Sequence, residues 1–245
     1  MTNKIVSLDG TALKINEQEG KTMWDGYIHS ARPFGYYSKY ENDFVSWVPD
    51  EWTITEVNAS TQTLLDERNG ILRLTPAGAE NDGSNMQLGG TGDGETTGES
   101  WTPLAGTNLY FETRVRSNTD VDQNDLFVGL HVQDTAIIAS KGTDYIGFRI
   151  DDGDALVDVE VSSGSSASEE TSVATAADAT WIKLGFVVKS TSSIEFWVND
   201  VKQATITTNI PTALMKLSLA HLSGEGTANV MDFDYVVVAQ QRVAG

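Results

Sequence analysis

From residue 44 to 240 the chain is a near-continuous series of short runs in which apolar and polar residues alternate. That period of two restricts the fold more than any other feature. The runs include "EWTITEV" (51–57), "GILRLTP" (70–76), "NLYFETRVRS" (108–117), "DLFVGLHVQD" (125–134), "DYIGFRIDD" (144–152), "ALVDVEVSS" (155–163), "WIKLGFVVKS" (181–190), "MKLSLAHLS" (215–223) and "VMDFDYVVVAQ" (230–240). Alternation sends successive side chains to opposite faces of a strand. β-Branched and aromatic residues fill the runs, and Gly, Asn, Asp, Ser and Thr fill the gaps between them, so the reading is an antiparallel sandwich or barrel. No segment carries a sustained helical stripe. "TALMK" (212–216) alone is read as a helical turn. No fixed repeat points to a propeller or solenoid.

"SIEFWVNDVKQATI" (193–206) reads as a hairpin, because Asn199-Asp200 tolerates the left-handed backbone of a tight turn. Projecting the strands onto two faces gives an inward set that includes Leu109, Phe111, Val115, Leu126, Val128, Leu130, Ile146, Phe148, Ile150, Leu184, Phe186, Ile194 and Phe196. The outward set mixes aromatic and charged residues: Tyr110, Glu112, Arg114, Phe127, His131, Tyr145, Arg149, Trp181, Lys183, Glu195 and Trp197.

Residues 1–43 lack useful periodicity and end in the aromatic stretch "SARPFGYYSKY", so they are read as an extended docking arm ahead of a single domain at 44–245. Phe34, Tyr36, Tyr37 and Tyr40 need burial on this chain or a neighbour. Two polar pieces, 89–100 and 162–180, read as exposed loops, with "TSVAT" (171–175) inside the second read as a short strand. The start of the chain has neither the basic segment nor the apolar run of a secretory signal, which predicts synthesis in the cytoplasm. No apolar run is long enough for membrane insertion.

The absence of cysteine excludes disulfides and thiolate chemistry. A formal charge of −19 repels phosphate backbones and anionic lipid surfaces, so nucleic acid is excluded as a partner.

The order of "NDFVSW", "GILRLT", "NLYFETRVR", "DYIGFRID", "WIKLGFVVKSTSSIEFWVNDVKQATI" and "VMDFDYVVVA" resembles the concanavalin A-like lectin/glucanase superfamily, which includes laminin G-like modules. Asp200 stands where that family usually has Gly. The resemblance implies an antiparallel β-sandwich jelly roll in which the last strand returns beside the first. It implies three kinds of activity, because the family holds polysaccharide-degrading enzymes, sugar-binding lectins and noncatalytic modules of bacteriophage particles.

Family members that hydrolyse β-glucans carry a Glu-x-Asp-x-x-Glu strand, and retaining chemistry needs two carboxyls about 5 Å apart. The nearest match, Asp158-Val159-Glu160, lacks the third acid, while Glu112 and Glu195 fall on other strands. No catalytic residue is therefore nominated. Asp120, Asp122, Asn124 and Asp125 in "NTDVDQNDL" offer oxygens at a spacing that would suit calcium, or form a polar turn. Tyr110, Arg114, His131, Tyr145, Arg149, Trp181 and Trp197 are nominated as a carbohydrate or protein interface, since stacking rings and fixed polar groups suit either partner. A covering loop or arm would make the same face ordinary packing. The expectation is a non-enzymatic virion structural protein, a capsid decoration or surface component. Its partners would be capsid or other virion proteins and further copies of itself, with a glycan-binding module as the alternative.

Overall fold

The computed structural model describes residues 37–89 and 101–242. Two antiparallel sheets pack face to face. In chain order the strands are β1 (Tyr37–Asn42), β2 (Trp52–Val57), β3 (Ser60–Leu65), β4 (Ile71–Pro76), β5 (Gly83–Leu88), β6 (Asn108–Ser117), β7 (Asn124–His131) and β8 (Tyr145–Ile150). They continue with β9 (Leu156–Ser163), β10 (Ser166–Thr175), β11 (Ile182–Lys189), β12 (Ser193–Val198), β13 (Val201–Ile206), β14 (Lys216–Ser223) and β15 (Met231–Gln241). One four-residue helical turn, α1 (Ile137–Ser140), interrupts the series.

The eight-stranded sheet runs β13-β12-β11-β6-β15-β4-β3, with β1 also on β15. The seven-stranded sheet runs β10-β9-β8-β7-β14-β5-β2. This is the predicted sandwich jelly roll. β15 is bordered by β6 on one side. On the other, β4 takes Met231–Phe233 and β1 takes Val236–Gln241. The last strand does lie beside the first.

The alternation of apolar residues dictates the core. Every residue of the predicted inward set lies in one buried cluster between the sheets. Phe111 stacks on Phe186 at 4.9 Å, and Phe148 meets Phe196 edge-on at 5.3 Å, which joins the seven-stranded sheet to the eight-stranded one. Fully burying each such side chain is worth about 1.5–3 kcal/mol. The predicted hairpin forms between β12 and β13. Both turn residues are left-handed, Asn199 at φ 48° and Asp200 at φ 65°.

Four expectations need correction. In the polar stretch 162–180 the strand read at 171–175 begins earlier, because Ser166–Thr175 pairs with β9 as a sheet-edge strand. Its polarity follows from the exposure of most of its residues. β3 has no counterpart in the predicted series; "STQTLL" hides its signal because it too is an edge strand with mostly exposed side chains. "TALMK" is not helical: Met215 bridges to Trp101 and Lys216 opens β14. Finally, Tyr37 and Tyr40, assigned to the arm, lie in β1 within the sandwich, where Tyr40 meets Trp52 edge-on at 6.0 Å. Phe34 and Tyr36 lie outside the described residues.

The registers align the strand ends of the seven-stranded sheet at two ends of the sandwich. His131, Tyr145 and Lys216 share one end of the seven-stranded sheet. Thr102 ties that end to the end of β15, donating from Oγ1 to the Thr212 carbonyl and accepting from the Gln240 amide on its own carbonyl. At the other end, Asn124 at the start of β7 donates to Ser117 Oγ at the end of β6. Among the described residues no helix is long and apolar enough to cross a membrane.

Candidate functional site

The outer face of the seven-stranded sheet holds a group of buried polar side chains, and the pairing of β7, β8 and β9 explains how. His131 lies opposite Tyr145, and Tyr145 opposite Ser162. Glu160 lies opposite Gly147, which lies opposite Gly129. Gly147 matters here because a Cβ would come within 2.6 Å of the Phe127 ring, so the aromatic floor could not lie flat beside any other residue. Phe127 packs at right angles to both His131 (5.6 Å) and Tyr145 (6.1 Å), while the His131 and Tyr145 rings are parallel at 5.4 Å.

This face is covered by the chain's own segment 132–144. Ile137 and Ile138 of α1 are buried against Phe127, Tyr145, Ala220 and Leu222. The segment is tied at its start by Gln87, whose Nε2 donates to the Val132 carbonyl (3.0 Å) and Ser218 Oγ (2.9 Å) and whose Oε1 accepts from the Asp134 N–H (2.8 Å). Asp134 then accepts from the Ala136 N–H (2.9 Å) and from Ser140 Oγ (2.6 Å), at the two ends of the turn. Arg149 donates to the Ile138 carbonyl at 3.3 Å, and Ser162 Oγ to the Thr143 carbonyl at 2.9 Å. Gly142, at φ 51°, lies so close over His131 that a Cβ would overlap the imidazole. Buried donors and acceptors need partners, and here the covering segment supplies many of them.

The buried Arg149 and Glu160 are charge-paired with each other and with groups at the surface. Arg149 approaches Asp151 at 3.4 Å and Glu160 at 3.7 Å; Lys141 reaches Glu160 at 3.7 Å. Burial pushes the Tyr145 hydroxyl pKa up, and the Glu160 carboxylate to which it hydrogen-bonds pushes it further. Burial pushes His131 down, against the opposing pull of its hydrogen bond to the Val132 carbonyl. His131 is thus held neutral, and Tyr145 is held protonated as a donor.

The acids that could have formed a hydrolytic pair are divided between two outer faces. Asp158 and Glu160 lie on the seven-stranded sheet. Glu112 and Glu195 lie on the eight-stranded one. Glu112 accepts from the Tyr235 hydroxyl at 2.6 Å, Glu195 sits between Lys189 (3.7 Å) and Lys202 (3.6 Å), and Asp158 caps the Ser172 N–H at 2.6 Å. Glu112 and Glu160 cannot flank one sugar, because the whole core separates them.

The nominated interface residues are divided in the same way. His131, Tyr145 and Arg149 lie under the 132–144 cover. Tyr110, Arg114, Trp181 and Trp197 lie on the outer face of the eight-stranded sheet, where Tyr110 clusters with Tyr37, Val187 and Ala239 and Trp197 packs against them. Alternation tells inside from outside, but it does not say which of two sheets an outward residue faces from. Trp181 sits apart, with the guanidinium groups of Arg114 and Arg116 over its ring at 4.9 and 4.4 Å. Arg116 and Arg73 also hold the buried Asp232, at 2.7 Å each, joined by Asn118.

In the Asp120–Asp125 loop, two of the residues nominated for calcium have partners within the chain. Asn124 is buried, with Nδ2 donating to the Asp120 carbonyl (2.7 Å) and Oδ1 facing His221 Nε2 (2.6 Å); Asp125 caps the Asp152 N–H at 2.9 Å. Among the described residues no three His, Cys, Asp or Glu side chains are grouped so as to hold a metal ion. His131, placed on the outward face from sequence, and His221 are both buried. Sequence reading also missed Gln87 and Asp134, whose role depends on a segment folding back over a sheet. Only the apolar pair Ile137-Ile138 inside a polar connection could have signalled it.

No protein-family model matches the chain, and no curated protein matches it in sequence. Solved structures do match. Peanut lectin shares 12% identity over 85% of this chain and 99% of the lectin, with a TM-score of 0.57. A Bacteroides ovatus GH16 protein of a mixed-linkage glucan locus shares 11% identity over 80% of this chain and 98% of its own, with a TM-score of 0.57. The CBM2 module of the evolved Dit of Lactobacillus casei BL23 phage J-1 shares 12% over 86% and 98%, with a TM-score of 0.55. These similarities show the concanavalin A-like lectin/glucanase fold.

Proposed function

We propose that this chain is a non-enzymatic structural protein of a bacteriophage particle, a capsid decoration or other surface component. The observation that carries the reading is the 132–144 segment. The face where His131, Tyr145, Arg149 and Glu160 gather is filled by the protein's own Ile137 and Ile138, so it presents packing and not an open groove. The engagement of the acids supports the same reading: Glu112 is held by Tyr235, Glu195 by Lys189 and Lys202, Glu160 by Arg149 and Lys141, and Asp158 by the Ser172 N–H. The charge of −19 suits a protein displayed at high local density, where like charge keeps neighbouring copies and particles apart. A phage Dit module with this fold adds a precedent for the architecture in such particles.

The test is direct. Antibody against the purified chain should label intact particles in electron micrographs of a producing culture, and purified protein should co-sediment with particles depleted of it. Labelling confined to cell debris, together with no co-sedimentation, would overturn the reading. So would release of reducing ends from β-glucans.

A glycan-binding module is the second reading, favoured by the half-exposed Trp181 with the Arg114 and Arg116 guanidinium groups over its ring. A glycan array decides it. Binding abolished by Trp181→Ala would support this reading.

A further inference from the structure

Each sheet carries a buried cluster on its outward face, but the two are closed differently. On the seven-stranded sheet, Ile137 and Ile138 of α1 close the cluster around Phe127 and Tyr145. On the eight-stranded sheet, Tyr37, Tyr110, Val187 and Ala239 are buried with Trp197 and Val237 packed against them, and all six are strand residues of that sheet. No connection among the described residues contributes to this cluster. Tyr110 is nevertheless only 2% exposed and Val187 only 1%, although alternation turns both away from the core. The registers leave a low point in this face. Gly185 lies between Trp197 and Glu112, and Val187 between Glu195 and Tyr110, so bare backbone separates the Trp197 ring from the next strand's side chain.

The point where the chain enters identifies the occupant. Tyr37 is both the first residue of β1 and a member of the cluster, so residues 1–36 arrive at the edge of this face. From β1 across β15, β6 and β11 to β12 is four strand spacings, about 19 Å, a distance that about six extended residues cross. The segment brings rings to lay there, namely Trp24, Tyr27, Phe34 and Tyr36. By contrast, residues 90–100 hold no aliphatic or aromatic side chain, and residues 243–245 are too few. Charge favours the same occupant, since residues 1–36 hold four basic and four acidic side chains whereas a second copy brings the whole −19. Trp197 Nε1 is buried without an acceptor among the described residues, a donor that a peptide carbonyl would satisfy.

We propose that the outward face around Tyr110, Val187 and Trp197 is a docking surface for residues 1–36 of the same chain. The inference goes beyond the virion reading and does not rest on it. Docking withdraws Tyr110 and Trp197 from sugar stacking and leaves Trp181, at the opposite end of β11, as the ring open to a partner. Release of the segment presents Tyr110 and Trp197 together, residues of the type that anchor protein interfaces.

Hydroxyl-radical footprinting of the full chain, read by mass spectrometry, tests this. In the parent, Trp24, Tyr27, Phe34 and Tyr36 should be oxidised several-fold more slowly than in the same chain unfolded in urea. Equal rates would overturn the inference, and this arm needs no variant. Tyr27→Asp with Phe34→Asp, both ahead of β1, should raise oxidation of Tyr110 and Trp197 several-fold while Trp181 and the cooperative unfolding of the sandwich stay as in the parent. An unchanged Tyr110, or an equal rise at Trp181, would also overturn it. Dilution to a species of the 26.5 kDa chain mass should leave the protection intact. Protection lost on dilution would give the face to another copy's segment and overturn docking within one chain.

Discussion

His221 Nε2 lies 2.6 Å from Asn124 Oδ1, with both side chains fully buried between the sheets. Asn124 Nδ2 is occupied by the Asp120 carbonyl, so its oxygen faces the ring and His221 must be the donor through Nε2. His221 Nδ1 has no hydrogen-bond partner among the described residues, which leaves a second proton without an acceptor. Burial lowers the His221 pKa from 6.5 to about 3.

Acid should therefore destabilise the fold well above the carboxylate range. Below pH 6.5 the unfolded chain takes up a proton that the native imidazole refuses until about pH 3. Stability is then constant with respect to this group above pH 6.5 and falls by about 1.4 kcal/mol per pH unit below it. His131, also lowered by burial, acts in the same direction. Urea unfolding from pH 7.5 to 4.5 should show the decline, and His221→Gln should flatten part of it. A stability flat across that window would contradict the assignment.

Asp232→Ala should cost about 2–3 kcal/mol, because it removes a fully buried carboxylate and strands Arg73, Arg116 and Asn118. Burial alone would raise the pKa of Asp232, but its three hydrogen-bond donors outweigh it and hold the carboxyl below its ordinary range. Stability contributed by the ionised Asp232 is thus present above pH 3.8 and lost as pH falls below it. Denaturant midpoints of variant and parent measure the difference, and a loss under 0.5 kcal/mol would show that the cluster is only a surface arrangement.

Asp134→Ala should loosen the cover without unfolding the sheets. It removes acceptors for the Ala136 N–H and Ser140 Oγ, a change of about 1 kcal/mol. Hydrogen exchange of the Ile137–Ser140 amides should accelerate while amides of β7 and β8 keep their protection. Equal acceleration throughout would show that the segment is part of the cooperative core.

Asp200→Gly should be neutral or stabilise by up to about 0.5 kcal/mol, since glycine meets the left-handed backbone at φ 65° without a Cβ. The exposed ion pair with Lys183 that it removes is worth little. Thermal unfolding decides the sign. A loss above 1 kcal/mol would mean that the pair, not the turn, fixes the hairpin.

These tests separate what the sequence makes legible from what it hides. Ile194, Phe196 and Val198 point inward because alternation is a property of the strand itself, so the core could be read before the sheets were known. Asn199-Asp200 announced its turn by backbone chemistry alone. By contrast, Tyr145 and Trp197 look alike in the pattern yet belong to different sheets, because topology is a long-range property. The burial of His131 depends on the segment that follows it folding back so that Gly142 lies over its ring, and that of His221 on the particular residue, Asn124, that the register of β14 brings near. Strands β3 and β10 are faint because an edge strand needs few apolar side chains.

The position of β15 bears on how the molecule comes into being. Within their sheet, β1 has no described neighbour except β15, and β4 depends on it to reach the rest of the strands. Segments made early on the ribosome must wait for one made roughly 160 to 200 residues later before their edges are satisfied. A nascent chain lacking those residues would have a gap in the middle of its larger sheet, so prematurely terminated products should be degraded instead of accumulating as competing, partly functional copies.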